Sequence, residues 1–107
     1  MEVHRQMDRG LAEDVYCHAL AIEFALRAIP FEAERAIQLE YKGHTVGGVC
    51  HVDFVCFDGV VIEVKAVSAL TPADDAQLLN YLGMTKLTRG LLLNFGTKSL
   101  EYKRRVL

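Results

Sequence analysis

The first regular pattern of apolar residues along the chain is helical. Apolar side chains recur at spacings of three and four residues over residues 11–28, which is typical of an amphipathic helix. The members of this stripe are Leu11, Val15, Ala19, Ile22 and Leu26. Pro30 then closes the segment. We therefore predict a helix that turns this stripe toward the core.

After this helix, apolar and polar residues alternate with a period of two residues, which predicts strands. Ile37, Leu39 and Tyr41 alternate with polar residues, and two β-forming stretches, about 49–56 and 60–67, come after the turn-rich "KGHTVGG". These two stretches are separated by only a few residues, so they form a hairpin.

The second half of the chain predicts one more helix and two more strands. Thr71 suits the N-cap of a helix over "TPADDAQLLNYLGM", and Pro72 suits its first turn. The run "GLLLNF" predicts a buried central strand, and "SLEYKRRVL" alternates as a last strand. The order helix, three strands, helix, strand, strand predicts an α/β fold with a mixed sheet (α+β) flanked by helices, in a single domain over residues 1–107.

The loop of the hairpin decides which side chains share a face. A two-residue turn would pair Phe57 with Val60 and put charges on both faces, whereas a three-residue loop pairs Cys56 with Val60 and places Gly59 in the left-handed conformation. Only the second register gives one fully apolar face. Its members are Val52, Phe54, Cys56, Val60, Ile62, Val64 and Ala66. We therefore predict the three-residue loop, since a slip by one residue inverts a strand.

In this register Asp53 lies directly opposite Glu63, and Lys65 lies on the same face. Opposed Cβ atoms are about 4.5–5.5 Å apart, so the carboxylates repel unless a cation lies between them. Oxygen ligands suit a hard divalent ion, Mg²⁺ or Mn²⁺, and Lys65 could orient or deprotonate a water at the metal. Spacing alone equally fits a solvated outer face with a surface Glu–Lys pair.

Composition argues against a disordered chain, a strongly basic protein, a disulfide framework and a membrane span. The chain is 51% hydrophobic and 24% charged, which indicates a globular domain, and its net charge of -2 gives no overall basic field. Its cysteines, Cys17, Cys50 and Cys56, have no CxxC spacing, so we expect reduced thiols and a cytoplasmic protein. No apolar run approaches the roughly 20 residues of a membrane span.

The ordered set Asp53, Glu63-Val64-Lys65 and Gln77 to Tyr81 resembles the PD-(D/E)XK nuclease superfamily, in the QxxxY variant of RecB-like nucleases. At the front, "GLAEDVY" (residues 10–16) resembles the signature of the small GxxExxY protein family within that superfamily. The resemblance extends over nearly the whole chain and implies a restriction-endonuclease-like core, a central mixed sheet flanked by helices.

The resemblance also implies roles for single residues. Asp53, Glu63, the Val64 carbonyl and Glu13 would hold Mg²⁺ or Mn²⁺. Lys65 would be the catalytic lysine, and Gln77 and Tyr81 would position it, the attacking water or the substrate phosphate. His4 is a further candidate near the metal, with a frayed terminal residue as the alternative, and His51 would lie opposite Lys65.

The implied reaction is metal-dependent hydrolysis of phosphodiester bonds, with DNA as the expected substrate. Basic residues near the C-terminus (Lys98, Lys103, Arg104, Arg105) and after the second helix (Lys86, Arg89) could contact phosphates, or simply protect an edge strand. Two alternatives stay open: a non-catalytic nucleic-acid-binding or regulatory module that keeps the nuclease fold, and a structural homodimer. A homodimer is also compatible with the nuclease hypothesis.

Overall fold

Helices cover both faces of a five-stranded sheet in the computed structural model, which describes residues 2–7 and 10–107 without the side chain of Leu39. The elements are α1 (Glu2–Gln6), α2 (Glu13–Leu26), β1 (Phe31–Tyr41), β2 (His44–Cys56), β3 (Val60–Lys65), α3 (Pro72–Thr85), β4 (Arg89–Asn94) and β5 (Glu101–Val106). The strands lie in the order β1-β2-β3-β4-β5, and only β3 and β4 are parallel. The predicted mixed sheet is confirmed, and α1 is a helix that the sequence analysis did not predict.

The hairpin register is confirmed, but its loop has a different conformation. Cys56 pairs with Val60, and Phe54 pairs with Ile62. The left-handed residues are Phe57 (φ 55°) and Asp58 (φ 54°) and not, as predicted, Gly59. The backbone N–H of Phe57 donates to the Pro30 carbonyl at 2.9 Å, which ties this end of the hairpin to the connection after α2.

Both faces of the sheet pack against helices, as predicted, so the alternative of a solvated outer hairpin face does not hold. On the α2 side, Phe54, Cys56, Ile62 and Val64 form a core with Phe95 and the helix. On the α3 side, Val55, Val61 and Leu92 pack with Leu78 and Leu82. Val52 belongs to this second core and not with Phe54, so the strict alternation of β2 breaks at Asp53. On the neighbouring strand Glu34 has a positive φ of 52° near the same place.

Helix α2 buries a different stripe from the predicted one. Val15, Ile22 and Leu26 are exposed, Leu26 to 77%, whereas the buried residues are Tyr16, Leu20 and Phe24. The rings explain the difference, because Tyr16 stacks on Phe95 at 4.8 Å and Phe24 meets Phe54 edge-on at 5.3 Å between centroids.

Strands β1 and β2 extend as a hairpin arm to a tight turn, and β1 is therefore longer than the predicted strand. Lys42 (φ 49°) and Gly43 (φ 81°) are both left-handed at the tip, as a two-residue type I′ turn requires. Between the pairs Gln38–Val49 and Glu40–Thr45 the register shifts, so one residue of β1 opposes three of β2. Bulges of this kind bend a strand pair. In the arm Ile37 is buried and Tyr41 is 63% exposed.

Helix α3 begins at the predicted cap. Thr71 Oγ1 accepts the N–H of Asp74, and the Asp74 carboxylate accepts the N–H of Thr71, which together form a capping box. The helix ends at Thr85, and Lys86, the C-cap residue that follows it, is left-handed (φ 60°). None of the helices formed by residues 2–7 and 10–107 is long and apolar enough to cross a membrane.

Candidate active site

The candidate site lies where β2 and β3 stop pairing. Their backbone pairing ends at Phe54–Ile62, whereas β3 stays paired with β4 as far as Lys65–Asn94. Asp53 and Glu63 occupy the next position of the register, and their side chains replace the missing backbone pairs. The N–H of Asp53 donates to Glu63 Oε1 at 3.0 Å, and the N–H of Val64 donates to Asp53 Oδ2 at 2.7 Å. The sequence predicted this juxtaposition.

Burial and mutual repulsion make both carboxyl groups weaker acids. Glu63 is 6% exposed, and burial, followed by the charge of Asp53, raises its pKa to about 8. The pKa of Asp53 is also raised, mainly by burial and secondarily by Glu34, although the Val64 N–H and Lys65 oppose the shift. A cation at this position would favour the ionised form of both groups.

The donor set fits a hard cation, although the ligands are not grouped as a complete site. Asp53 Oδ1 and Glu63 Oε2 accept no hydrogen bond from any described residue, so each carboxylate keeps one oxygen for another partner. Burial and then the charge of Asp53 raise the pKa of Glu13, which lies in the first turn of α2, although Lys65 opposes the shift. Within residues 2–7 and 10–107, however, no three His, Cys, Asp or Glu side chains lie together as ready-made ligands.

Lys65 is held at the end of β3 by residues of α3. Its Nζ donates to Gln77 Oε1 at 3.2 Å and lies 3.9 Å from Asp74 Oδ1. The sequence singled out Gln77, but it gave Asp74 a role only at the helix N-terminus. Asp74 uses Oδ2 in the capping box, and its other oxygen, Oδ1, is the one that lies near Lys65. The ammonium group of Lys65 thereby has a defined place beside the carboxylates.

Tyr81 completes the α3 side of the site. Burial raises the pKa of its hydroxyl, and the charges of Glu63 and Asp53 raise it further. Gln77 and Tyr81 lie one helical turn apart, as predicted. The structure therefore brings Asp53, Glu63, Lys65, Gln77 and Tyr81 to one place, with Glu13 across the gap on α2.

Asn94 is a residue that the sequence did not identify. It is fully buried at the end of β4 and binds the segment that leads from Lys65 to α3. Its Oδ1 accepts the N–H groups of Val67 and Gly96, and its Nδ2 donates to the Val67 carbonyl and to Glu101 Oε1, all at 3.0 Å. Glu101 Oε1 also accepts the N–H of Leu70 at 2.9 Å. The one signal in the sequence for this role is that Asn94 is a polar residue within the apolar run "GLLLNF".

The two histidines that the sequence analysis considered, His4 and His51, lie away from the carboxylates. His51 pairs with Ala36 of β1 and is exposed, so the predicted pairing with Lys65 does not form. His4 Nε2 lies 2.9 Å from the Thr97 carbonyl, and its ring is 6.0 Å from that of Phe95. His4 therefore binds α1 to the connection between β4 and β5.

Two grooves flank the site, and their charges are opposite. The groove between α2 and the β1–β2 pair has a volume of about 470 Å³ and is lined by acids. These acids are Glu13, Asp14, Glu34 and Asp53. Cys17 also lines it, and burial followed by the charges of Asp53 and Glu13 raises the pKa of its thiol to about 12. The groove between the hairpin arm and the C-terminal half of α3, about 570 Å³, contains Lys42 and Lys86.

Solved structures share this fold. The crystal structure of SSO0001 superposes with a TM-score of 0.67 at 18% identity, over 87% of this chain and 48% of that one. An alkaline exonuclease (LHK-Exo) from Laribacter hongkongensis gives a TM-score of 0.61 at 12% identity, over 87% of this chain and 55% of that one. The chain thus spans about half the length of each.

No curated protein matches the sequence. The family model of the PD-(D/E)XK nuclease superfamily matches residues 1–106, which is almost the full length. It includes the segment in which Asp53, Glu63 and Lys65 meet. The chain therefore belongs to the PD-(D/E)XK nuclease superfamily.

Proposed function

We propose that the chain is a metal-dependent nuclease that hydrolyses phosphodiester bonds, with DNA as its substrate. The observation that carries the proposal is the pair Asp53–Glu63 in the gap between β2 and β3, with the Lys65 ammonium held beside it by Gln77. We further propose that the chain is a GxxExxY protein with the RecB-like QxxxY arrangement, on the basis of Glu13, Tyr16, Gln77 and Tyr81.

Asp53, Glu63, the Val64 carbonyl and Glu13 are the proposed ligands of Mg²⁺ or Mn²⁺. When bound, such an ion polarises the scissile phosphate and lowers the pKa of a water molecule. Lys65 contributes a positive charge next to the position where negative charge develops on the phosphate. Gln77 accepts a hydrogen bond from its Nζ and so restricts the ammonium group to that position.

The alternative is a non-catalytic module that keeps the fold and binds nucleic acid. One observation favours it: Asp53 and Glu63 each use one oxygen to accept a backbone N–H, and no described trio of His, Cys, Asp or Glu forms a metal site. Such carboxylates could serve only to close the gap between the strands. The two functions differ in whether the protein binds a divalent ion.

Calorimetric titration with Mn²⁺ separates them. We expect the wild type to bind the ion and Asp53→Asn and Glu63→Gln to lose most of the heat. Asp58→Asn, which removes an acid from the exposed hairpin loop, is the matched control. Absence of binding to the wild type would exclude the catalytic proposal.

Cleavage is tested next, with single-stranded, duplex and branched DNA in the presence of Mg²⁺ or Mn²⁺. We expect activity in the wild type and a loss of at least about 100-fold in Lys65→Ala. Cleavage that persists unchanged in Lys65→Ala would come from a contaminating enzyme.

A further inference from the structure

We propose that the groove between the β1–β2 hairpin arm and the C-terminal half of α3 binds the sugar–phosphate backbone of a nucleic-acid strand outside the scissile phosphate. Lys42 and Lys86 are its phosphate contacts. This inference rests on the proposed nuclease function, and it adds the path that the substrate takes. The groove is lined by Gln38, Glu40, Lys42, Gly43, Gly83, Met84 and Lys86.

Both lysines are available for an external anion. Neither Nζ lies within ion-pair distance of a carboxylate in the described part of the chain, whereas Arg105 and Lys65 have acidic partners there. Lys42 Nζ lies 5.5 Å from the centre of the Tyr41 ring, a contact that leaves its hydrogen-bond donors free. Glu40 is the one acid among the residues that line this groove, so the two lysines leave an excess positive charge.

The backbone presents both side chains from fixed positions. Lys42 is the first central residue of the type I′ turn at the tip of the arm, and Lys86 is the left-handed C-cap residue of α3. Gly43 and Gly83 also line the groove and carry no side chain into it. A Cβ built at Gly83 would meet no atom within 4 Å, so the wall of α3 is open there.

One face of α3 connects the candidate site to this groove. Gln77, Tyr81 and Met84 follow one another at spacings of four and three residues, so they lie along one side of the helix. Gln77 contacts Lys65 in the site, and Met84 lines the groove. The nine residue-to-residue steps from Gln77 to Lys86 correspond to roughly 13 Å along the helix, about four nucleotide rises of a B-form strand.

Charge selects this groove over the one on the other side of the site. Asp14 and Glu34 line the opposite groove next to the proposed metal ligands Glu13 and Asp53, and their charges would repel a polyanion. A strand whose scissile phosphate lies at Lys65 therefore continues along α3 toward Lys42 and Lys86. These contacts are to phosphates, so they predict no preference for sequence.

Anisotropy of fluorescently labelled 20-nucleotide strands, one DNA and one RNA of the same sequence, measures this contact in EDTA as the salt concentration rises. Each phosphate contact to a single strand contributes about 0.7 to the slope of log K against log salt. We expect the double variant Lys42→Gln/Lys86→Gln to lose about 1.4 of that slope. The control with the same change of charge is Arg5→Gln/Arg27→Gln, on α1 and at the end of α2 and outside the groove, which should keep the wild-type slope.

Equal slopes for the wild type and Lys42→Gln/Lys86→Gln, equal losses in both double variants, or no binding of either strand by the wild type would overturn the inference. A loss confined to the groove variant supports it, and the strand bound more tightly identifies DNA or RNA as the source of the backbone. Cleavage by the same samples in Mg²⁺ separates the two proposals. A wild type that binds through the groove but never cleaves contradicts the nuclease function alone.

Discussion

Glu63 accepts the backbone N–H of Asp53 at the position where the pairing of their strands has ended. Asp53 in turn accepts the N–H of the residue after Glu63. Each carboxylate thus closes part of the gap with one oxygen and keeps the other for a ligand. Two acids that repel each other are held together by the amides of the opposite strand, and several measurable consequences arise from this arrangement.

Replacing one of the two charges should stabilise the protein without metal. Asp53→Asn removes the repulsion of Glu63 and keeps a side-chain oxygen that can accept the Val64 N–H. We expect a gain of up to about 1 kcal/mol, or about 4–8 °C in Tm, measured by thermal unfolding in EDTA above about pH 8, where Glu63 is ionised. The same variant should lose the stabilisation that Mn²⁺ gives the wild type. A lower Tm in EDTA would show that the charge itself is needed for the fold.

Stability without metal should decrease as the pH rises toward 8. Burial and Asp53 raise the pKa of Glu63 from 4.5 to about 8, so over that interval the folded protein holds a proton that the unfolded chain has released. Wherever the folded state binds more protons, unfolding becomes easier as the pH rises, by at most about 1.4 kcal/mol per pH unit for one group.

Urea unfolding in EDTA at several pH values measures this slope, and Glu63→Gln should flatten it. The carboxyl groups with lowered pKa values, Glu2, Asp74 and Glu101, contribute stability above their unfolded pKa and lose it at more acidic pH. They therefore do not account for a change between about pH 5 and 8. An identical slope in Glu63→Gln would assign the effect to other groups.

Gln77→Ala should reduce cleavage more than it reduces stability. Gln77 is exposed, and its contact with Lys65 Nζ is the hydrogen bond that positions the ammonium group. We expect kcat to fall roughly 10- to 100-fold while the midpoint of urea unfolding stays constant. Gln77→Glu keeps an oxygen acceptor and should lose less. Equal activity in Gln77→Ala and the wild type would leave Asp74 as the residue that holds Lys65.

Removing the Asn94 side chain should destabilise the protein by about 2–4 kcal/mol, since it leaves the partly buried N–H and C=O of Val67 and N–H of Gly96 without their partner. Urea unfolding measures the loss in Asn94→Ala. The control is Asn80→Ala, an exposed position on α3 where alanine favours the helix. A cost below 1 kcal/mol would mean that water replaces these contacts.

Gly96 and Gly83 should respond to alanine in opposite directions. A Cβ at Gly96 would lie 2.3 Å from the Val67 carbonyl oxygen and 2.5 Å from its nitrogen, both backbone atoms that cannot turn away. At Gly83, inside α3, it would meet nothing within 4 Å. We expect Gly96→Ala to lower the free energy of unfolding by more than about 2 kcal/mol and Gly83→Ala to raise it by about 0.5–1 kcal/mol. The order of the two midpoints in urea decides the prediction.

The hairpin could be predicted because a register error would have moved every side chain of a strand to the other face. Cys56 pairs with Val60 for that reason. The backbone conformation of the hairpin loop could not be predicted, since the hydrogen bond from the Phe57 N–H to the Pro30 carbonyl is a contact with a distant part of the chain. The position of Val52 also escaped prediction, because it depends on a break of alternation at Asp53, beside the left-handed Glu34.

Helix α2 shows a second limit. The helix carries apolar residues on more than one side. The spacing of these residues is therefore compatible with two apolar stripes, and it does not show which of them faces the core. The stripe that is buried contains the aromatic residues, because Tyr16 packs on Phe95 and Phe24 packs on Phe54. Contacts that hold the site from outside, such as Asn94 with Val67, join residues far apart in sequence and leave little trace in local patterns. Asp53, Glu63 and Lys65, by contrast, are close neighbours in sequence.

The strand order β1-β2-β3-β4-β5, which repeats the order along the chain, has a consequence for folding kinetics. Most strand pairs are neighbours in sequence and close short loops, but β3 and β4 pair only after α3 has crossed between them, as Val60 with Arg89. Closing that longer loop costs more entropy and is the step expected to limit the folding rate. Asp53, Glu63 and Lys65 all precede it, so the carboxylates meet in a local hairpin, and only the later docking of α3 and β4 fixes Lys65 beside them.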